Sequence, residues 1–446
     1  MSDTVLLIVL IVLAFAGGHL VTRFAARHGM LSGAESLLVG IAIGPVGAGL
    51  LDGRSLDKAQ LLMALLLGLV GFITGMRARR LAPHPEAVVV GLATAICIAT
   101  GMALFALGWM YQFGDATGPW LVDVELWTWG GITLELRATS AQLESAIVLG
   151  AAAAATSSLV IESTAKMYGA QGPLHQLFVG AAVTGEIFAI FLLGLALAIR
   201  RNEDYWGRLP LGITEWALLG MGVGVICGLL FAWFARDEVE PKRIFVASTG
   251  TVVFAAGVGS AIGLSPTFVN LLAGLTVALV SPKAPAVAQS LERLQHPIQV
   301  MVMVFAGMLL AVPSGAEWLL AALYPFVRWG LLRAVVPLAS TSLLERPIRA
   351  ARMGNGMLAQ GALPVVIAVA YVARAPEMAS IVLTAVLVAT VTSDLLSIRA
   401  LADVLLDAGE IADTTGTRHG VPLALIGGER SKRHSADTLT HLGGQP

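Results

Sequence analysis

Charged side chains are scarce in this 446-residue chain. Asp, Glu, Lys and Arg make up 13% of the sequence, against about 25% in an average soluble protein. Apolar residues make up 57%, and the few charges cluster between long apolar runs. This pattern excludes a soluble globular protein and indicates an all-α, polytopic membrane protein.

Several features of soluble enzymes and binding proteins are also missing. The formal net charge is −1 with no basic block in the body of the chain, so there is no electrostatic footprint for nucleic acid. The two cysteines, Cys97 and Cys227, lie inside apolar runs, where they indicate packing rather than a disulfide or metal framework. No phosphate-binding glycine loop or Cys/His metal spacing occurs. We therefore expect neither enzyme chemistry nor a cofactor.

Thirteen apolar runs approach or exceed the length of about 20 residues that a membrane-spanning helix needs. The first run is preceded by Asp3 and by no Lys or Arg, which argues against a signal peptide. We predict spans at 4–22, 34–52, 58–76, 86–111, 142–165, 174–199, 211–235, 243–263, 266–282, 296–312, 317–344, 355–373 and 378–398.

The connections between these runs predict an orientation. Those on one side hold about twice as many Lys and Arg residues as those on the other, and the richer side faces the cytoplasm. This places the N-terminus outside and the C-terminus in the cytoplasm. We expect the membrane to be a bacterial inner membrane. We expect one transmembrane domain, 1–407, followed by a short cytoplasmic tail, 408–446.

One outside connection, about 112–141, is unusually long. Apolar and polar residues alternate in it on both sides of Gly130 and Gly131, which predicts an extracytoplasmic β-hairpin. The hairpin is either a small cover packed on the helix ends or a lid that docks a partner.

Ionisable residues inside the membrane are costly and are often functional. Glu186 lies about twelve residues into the sixth run, and Arg328 and Arg333 lie deep in the eleventh. Glu186 either forms a buried ion pair that fixes helix packing, or alternately binds a proton and a cation. Three further residues lie toward the ends of their runs and are interpreted as interfacial or packing residues rather than as functional groups: Glu162, Asp394 and His19.

Two runs contain breaks in their helical pattern. Hydroxyls interrupt the fifth run at Thr156, Ser157 and Ser158, and the twelfth contains Gln360, Gly361 and Pro364. Broken helices leave helix ends and free carbonyls in the membrane, and many secondary transporters build an ion site from them. Runs four to six and eleven to thirteen would then form two inverted repeats, although Pro364 alone could instead mark a packing kink.

An ordered series of motifs over about residues 5–400 resembles the sodium/hydrogen exchanger domain of the monovalent cation:proton antiporter superfamily, closest to its Kef-type branch. The matching stretches are 39–45, 71–76, 155–158, 263–266, 273–275, 305–308 and 360–361. The resemblance implies an antiporter fold with broken helices, a homodimer and elevator-like alternating access.

The resemblance also implies roles for particular residues. The family carries two adjacent polar or acidic residues in the sixth span, and these positions are Gly185 and Glu186 here. Glu186 therefore maps to the carboxylate that binds Na⁺ or K⁺, near Thr156, Ser157 and Ser158. The family's basic residue in the eleventh span maps to Arg333, or less well to Arg328, as a charge partner of Glu186.

Three hypotheses for function follow. The first is a secondary antiporter that exchanges Na⁺ or K⁺ for protons. The second is a transport-inactive scaffold or sensor built on the antiporter fold. The third is a sodium-coupled carrier of an organic anion.

Overall fold

The computed structural model describes residues 34–47, 53–81, 84–113, 121–129, 132–199, 213–238, 240–340 and 350–411. Most of them are helical. The helices are α1 Ala34–Ile43, α2 Gly53–Met76, α3 Pro85–Phe113, α4 Ser140–Ala154, α5 Ser158–Met167, α6 Pro173–Ile199, α7 Ile213–Phe234, α8 Pro241–Ala261, α9 Pro266–Val280, α10 Ala284–Met308, α11 Glu317–Ser340, α12 Ala350–Met353, α13 Leu363–Val372 and α14 Ala379–Asp407.

Helix coincides, at least in part, with every predicted run from the second to the thirteenth. Among the described residues, eight helices are long and apolar enough to cross a membrane, and three shorter ones are also apolar. The chain is therefore an integral membrane protein. The first predicted run, with His19, and most of the predicted tail lie outside the described residues.

The long connection between α3 and α4 contains two strands, β1 Leu121–Trp129 and β2 Ile132–Thr139. They pair antiparallel from Leu121 with Thr139 to Trp129 with Ile132, with a bulge near Trp127. The alternation in the sequence predicts this pairing. Residues 130 and 131 lie outside the described part of the chain, and the side of the membrane on which the strands lie stays a prediction.

The helices pack as two bundles. In the first bundle α2 packs on α9, α9 packs on α7 and α8, and α1 packs on α10. In the second bundle α3 packs on α4, α6 and α11, while α14 packs on α11 and α13. The contacts between the bundles are fewer than those within them, so a boundary runs between α2 and α10 on one side and α6 and α13 on the other.

Glycines allow the closest contacts inside the first bundle. A Cβ on Gly71 of α2 would overlap the carbonyl of Thr267 on α9, and one on Gly274 of α9 would overlap the carbonyl of Phe72. Gly40 and Gly307 bring α1 and α10 together in the same way. These glycines belong to the stretches that carry the family resemblance, so their role here is close backbone packing.

The second bundle contains the two predicted repeats. Each consists of a long helix, a broken helix and another long helix: α3, α4 with α5, α6, and then α11, α12 with α13, α14. The first break lies between Ala154 and Ser158, and the second lies between a 3-10 helix, Gly354–Met357, and Leu363. Both breaks are where the sequence predicts them.

Local sequence explains how each break is stabilised. Ser157 caps α5 by accepting a hydrogen bond from the amide of Val160, and Pro364 lies in the first turn of α13, where its missing N–H costs nothing. Gly361 has a φ of +61°, and a Cβ there would lie 2.6 Å from Ser157 Oγ. The amide of Ser157 donates to the Ala359 carbonyl at 2.8 Å, so the two breaks touch.

Candidate ion-exchange site

Glu186 lies in the middle of α6 and is 2% exposed. Its Oε1 accepts hydrogen bonds from the backbone N–H of Ser158 at 2.8 Å and from Ser158 Oγ at 3.0 Å. Ser158 is the first residue of α5, so the carboxylate meets the positive end of a half-helix. Glu186 is therefore buried beside the fifth-run break, and its role in binding a cation or a proton stays a prediction.

The charge partner of Glu186 is Arg77. Nη1 of Arg77 lies 2.9 Å from Glu186 Oε2 and 3.2 Å from Ser158 Oγ. The side chain of Arg77 is 11% exposed. Arg77 is the first residue of a short 3-10 helix, Arg77–Leu81, that directly continues α2. Arg77 follows the third predicted span, in a connection that the predicted orientation assigns to the cytoplasm. The one clue to its role is its position just after the family-like stretch 71–76.

The two arginines predicted as partners lie elsewhere. The guanidinium of Arg333 lies over the ring of Trp329, 5.4 Å from its centroid. Arg328 is fully buried and donates to the carbonyls of Ala153 at 2.8 Å and of Leu358 at 2.9 Å. The prediction that one of them contacts Glu186 is therefore wrong, because Arg333 lies over a ring of its own helix and Arg328 donates to backbone carbonyls at the two breaks.

Arg328 has a different role from the one predicted. A weaker bond from Nη2 to the Ala155 carbonyl, at 3.3 Å, adds a third acceptor. These carbonyls lie at the end of α4 and in the break before α13, where helix C-terminal ends carry partial negative charge. Arg328 therefore neutralises carbonyl groups from both broken helices.

Asp394 is the counterpart of Glu186 in the second repeat. It lies in the last long helix of that repeat, and its Oδ1 accepts from the amides of Gln360 at 2.9 Å and Gly361 at 3.0 Å, just before α13. It is 5% exposed, so the interfacial interpretation drawn from the sequence is wrong. The helix break draws a carboxylate into the protein because amides without helical partners need an acceptor.

The remaining predicted site residues contact the two helix breaks. Ser157 caps α5, whereas the hydroxyl of Thr156 donates to the Met357 carbonyl at 3.2 Å. The side-chain amide of Gln360 donates to the Ala152 carbonyl at 3.4 Å. A Cβ on Gly185 would lie 3.1 Å from the Ala154 carbonyl, so this position packs tightly against the break.

Comparison with known proteins places this architecture in a family. The sodium/hydrogen exchanger family, described as transmembrane, matches residues 10–398. The chain belongs to this family. Among curated proteins, none matches this sequence.

Solved structures of one antiporter share the fold of this chain. The structure at pH 8 of the sodium proton antiporter MjNhaP1 from Methanocaldococcus jannaschii is 14% identical, with a TM-score of 0.60, covering 91% of this chain and 99% of that chain. The structure from a 3D electron-microscopy map of MjNhaP1 is 15% identical, with a TM-score of 0.61, covering 90% of this chain and 96% of that chain. The antiporter fold is therefore confirmed, while assignment to the Kef-type branch stays a prediction.

A crevice between the two bundles leads to Glu186. The first bundle contributes Thr74, Gln295 and Gln299 to its walls, together with Arg77, and the second contributes Ser157 and Glu186. At the surface next to Arg77, Arg80 pairs with Glu162 and, at 3.3 Å, with Glu292, and Lys166 pairs with Glu162 at 2.8 Å. Glu162 is therefore a surface ion-pair residue, in line with its interfacial interpretation.

At the other end of the second broken helix, Arg374 also joins the bundles. It follows α13 and donates to the carbonyls of Gly263 and Leu264, in the turn between α8 and α9. Burial lowers the pKa of Arg374 to about 10, so its guanidinium stays charged at neutral pH. Arg374 therefore joins the two bundles at one face, and the crevice lies beside Arg77 at the other.

Proposed function

We propose that this chain exchanges a monovalent cation, Na⁺ or K⁺, for protons by alternating access. Glu186 is the carboxylate that holds either the cation or the proton. The single observation that carries the proposal is that Glu186 is buried at a half-helix end and still lines a crevice between two bundles. A carboxylate used only for packing has no need of a path from solvent.

The chemistry of the site suits a hard monovalent cation. Such ions prefer oxygen ligands, and the carboxylate of Glu186 and the hydroxyl of Ser158 lie within 3.0 Å of each other. Ser157 adds a second hydroxyl to the crevice wall. We propose that Thr156 does not bind the ion itself but positions the site through its contact with the second break. We propose that Gly185 contributes no ligand.

Relative movement of the two bundles would supply alternating access. Glu186 and both breaks belong to the second bundle, and the opposite crevice wall belongs to the first. Sliding the second bundle along the first would carry Glu186 from one face to the other. We further propose a homodimer in a bacterial inner membrane, with the N-terminus outside and the C-terminus in the cytoplasm.

One carboxylate in the crevice sets the stoichiometry. Glu186 holds one proton or one cation in turn, while Asp394 does not line the crevice and its Oδ1 accepts from two backbone amides. Exchange should therefore be one for one and electrically silent, so that clamping the membrane potential leaves the exchange ratio unchanged.

Proton flux in proteoliposomes tests this proposal, with Na⁺, with K⁺ and with an impermeant organic cation. We expect flux only with an exchangeable cation, at a ratio of one proton per cation. A ratio of two would contradict the single-carboxylate scheme and direct attention to Asp394.

A transport-inactive scaffold is the second candidate, because the charge of Glu186 is already satisfied by Arg77. Protein that is folded but carries no cation-dependent flux would favour it. The organic-anion hypothesis has less support, since the arginine in the crevice is itself paired with a carboxylate.

A further inference from the structure

We propose that Arg77 is a latch between the two bundles that prevents the empty, deprotonated exchanger from changing orientation. This inference rests on the proposed exchange at Glu186 and adds the residue that couples the two substrates. Arg77 is continuous with α2 of the first bundle, whereas Glu186 and Ser158 belong to the second. Their contact thus spans the surface along which the bundles would move.

Arg77 lies where a bound cation would lie. Its Nη1 contacts one oxygen of the Glu186 carboxylate and the hydroxyl of Ser158. Those two groups are the oxygen ligands that the proposed function gives to Na⁺ or K⁺. A cation in this position and the guanidinium would be like charges competing for one carboxylate, so binding of the cation displaces Arg77.

A proton has the same effect by a different route. Protonation of Glu186 removes the negative charge that attracts Arg77, and the remaining hydrogen bond is weaker than a charge-assisted one. Among the described residues, Arg77 is the charged group in contact with Glu186, and the next charges toward the surface are Arg80, Glu162, Lys166 and Glu292.

Three states of Glu186 follow, and they differ in whether the bundles are tied. With neither substrate, Glu186 pairs with Arg77 and the second bundle is held. With a cation or a proton bound, the pair opens and the tie at Arg77 is released. An exchanger needs this rule, since free return of the empty state would let the cation cross without a proton in exchange.

Among the arginines of the described ranges, Arg77 is the one that contacts Glu186. Arg374 also joins the bundles, but at the α8–α9 turn, so its contact does not depend on what Glu186 holds. Arg328 and Arg333 lie on α11, in the same bundle as Glu186, and would move with it. The Arg80–Glu162 pair also crosses between the bundles, but these side chains are 40% and 26% exposed. Exposed ion pairs contribute little and are screened by salt, and neither partner touches Glu186.

The test compares Arg77→Gln with Arg79→Gln in proteoliposomes. Arg79 is an exposed residue of the same 3-10 helix, so its replacement removes the same charge without touching the site. We expect Arg77→Gln to lower the apparent KM for the cation by about tenfold, because a charge-assisted competitor is lost. We also expect cation uptake driven by membrane potential at equal pH, which wild type and Arg79→Gln should lack.

Tight coupling and an unchanged KM in Arg77→Gln would overturn the latch and leave the proposed exchange intact. Absence of cation-coupled proton flux in the wild type would instead overturn the exchange proposal and the latch together.

A second measurement keeps Arg77 in place, in case Arg77→Gln does not fold. Cysteines introduced by Arg80→Cys and Glu162→Cys, with Cys97 and Cys227 replaced by Ala, report bundle proximity through a short bifunctional maleimide. After normalisation to monofunctional labelling, cross-linking should be fastest at alkaline pH without Na⁺ or K⁺, and should slow when either cation is added or pH is lowered. A normalised cross-linking rate that changes with neither cation nor pH would overturn the latch.

Discussion

At the residue scale, the site depends on how charges are matched to helix ends. Glu186 and Asp394 each accept backbone amides at the start of a half-helix, and Arg328 donates to carbonyls at the breaks. The sequence identifies Glu186, because a lone carboxylate in the middle of an apolar run is costly and is therefore often functional. It does not identify Arg77, because Arg77 follows a helix of the other bundle. Spacing along the chain does not show which helices of the two bundles meet.

The buried arginine provides a stability prediction. Arg328→Gln should destabilise the protein by about 3–5 kcal/mol, since it leaves buried carbonyl groups of both breaks without their donor, at about 1–3 kcal/mol each. Arg333→Gln is the matched control on the same helix and should cost less than about 1 kcal/mol, the worth of an exposed cation–π contact. Thermal unfolding in detergent measures both. Equal stability of the two variants would contradict the assigned role of Arg328.

At the element scale, the sequence predicts where helices break more reliably than what the breaks contact. Hydroxyls at 156–158 and the Gly361–Pro364 pattern mark both breaks within a residue or two. That the breaks lie against each other, with Ser157 bonded to Ala359, is a tertiary feature. The sequence misplaces Asp394 for this reason, since distance from the end of a run says little about depth when the neighbouring helix is broken.

Gly361 tests the geometry of the second break. Gly361→Ala should destabilise the protein by about 1–3 kcal/mol, because alanine is strained at positive φ and its Cβ would press on Ser157. Gly250→Ala is the control: Gly250 lies in the exposed interior of α8 with open space around it, so alanine should be neutral or stabilising by up to about 1 kcal/mol. Thermal unfolding distinguishes the two, and a neutral Gly361→Ala would contradict the described break.

At the scale of the whole molecule, two bundles meet along a crevice, with an arginine bridging them at each end. Arg77 reaches the exchange carboxylate, and Arg374 reaches backbone carbonyls of the α8–α9 turn. The sequence predicts the helices, their order and the repeats. The division into bundles depends on contacts between helices that are far apart in the chain, such as α2 with α9. Glycine motifs in each helix indicate close packing, but they do not show which helix is the partner.

The central claim is that Glu186 carries the exchange, and Glu186→Gln tests it most directly beside Glu162→Gln. Both changes replace a carboxylate by an amide of the same shape, but only Glu186 lies in the crevice. In proteoliposomes of folded protein, we expect Glu186→Gln to abolish cation-dependent proton flux and Glu162→Gln to keep it within about twofold of wild type, in line with the small worth of exposed ion pairs. Flux like that of wild type in Glu186→Gln would contradict the account.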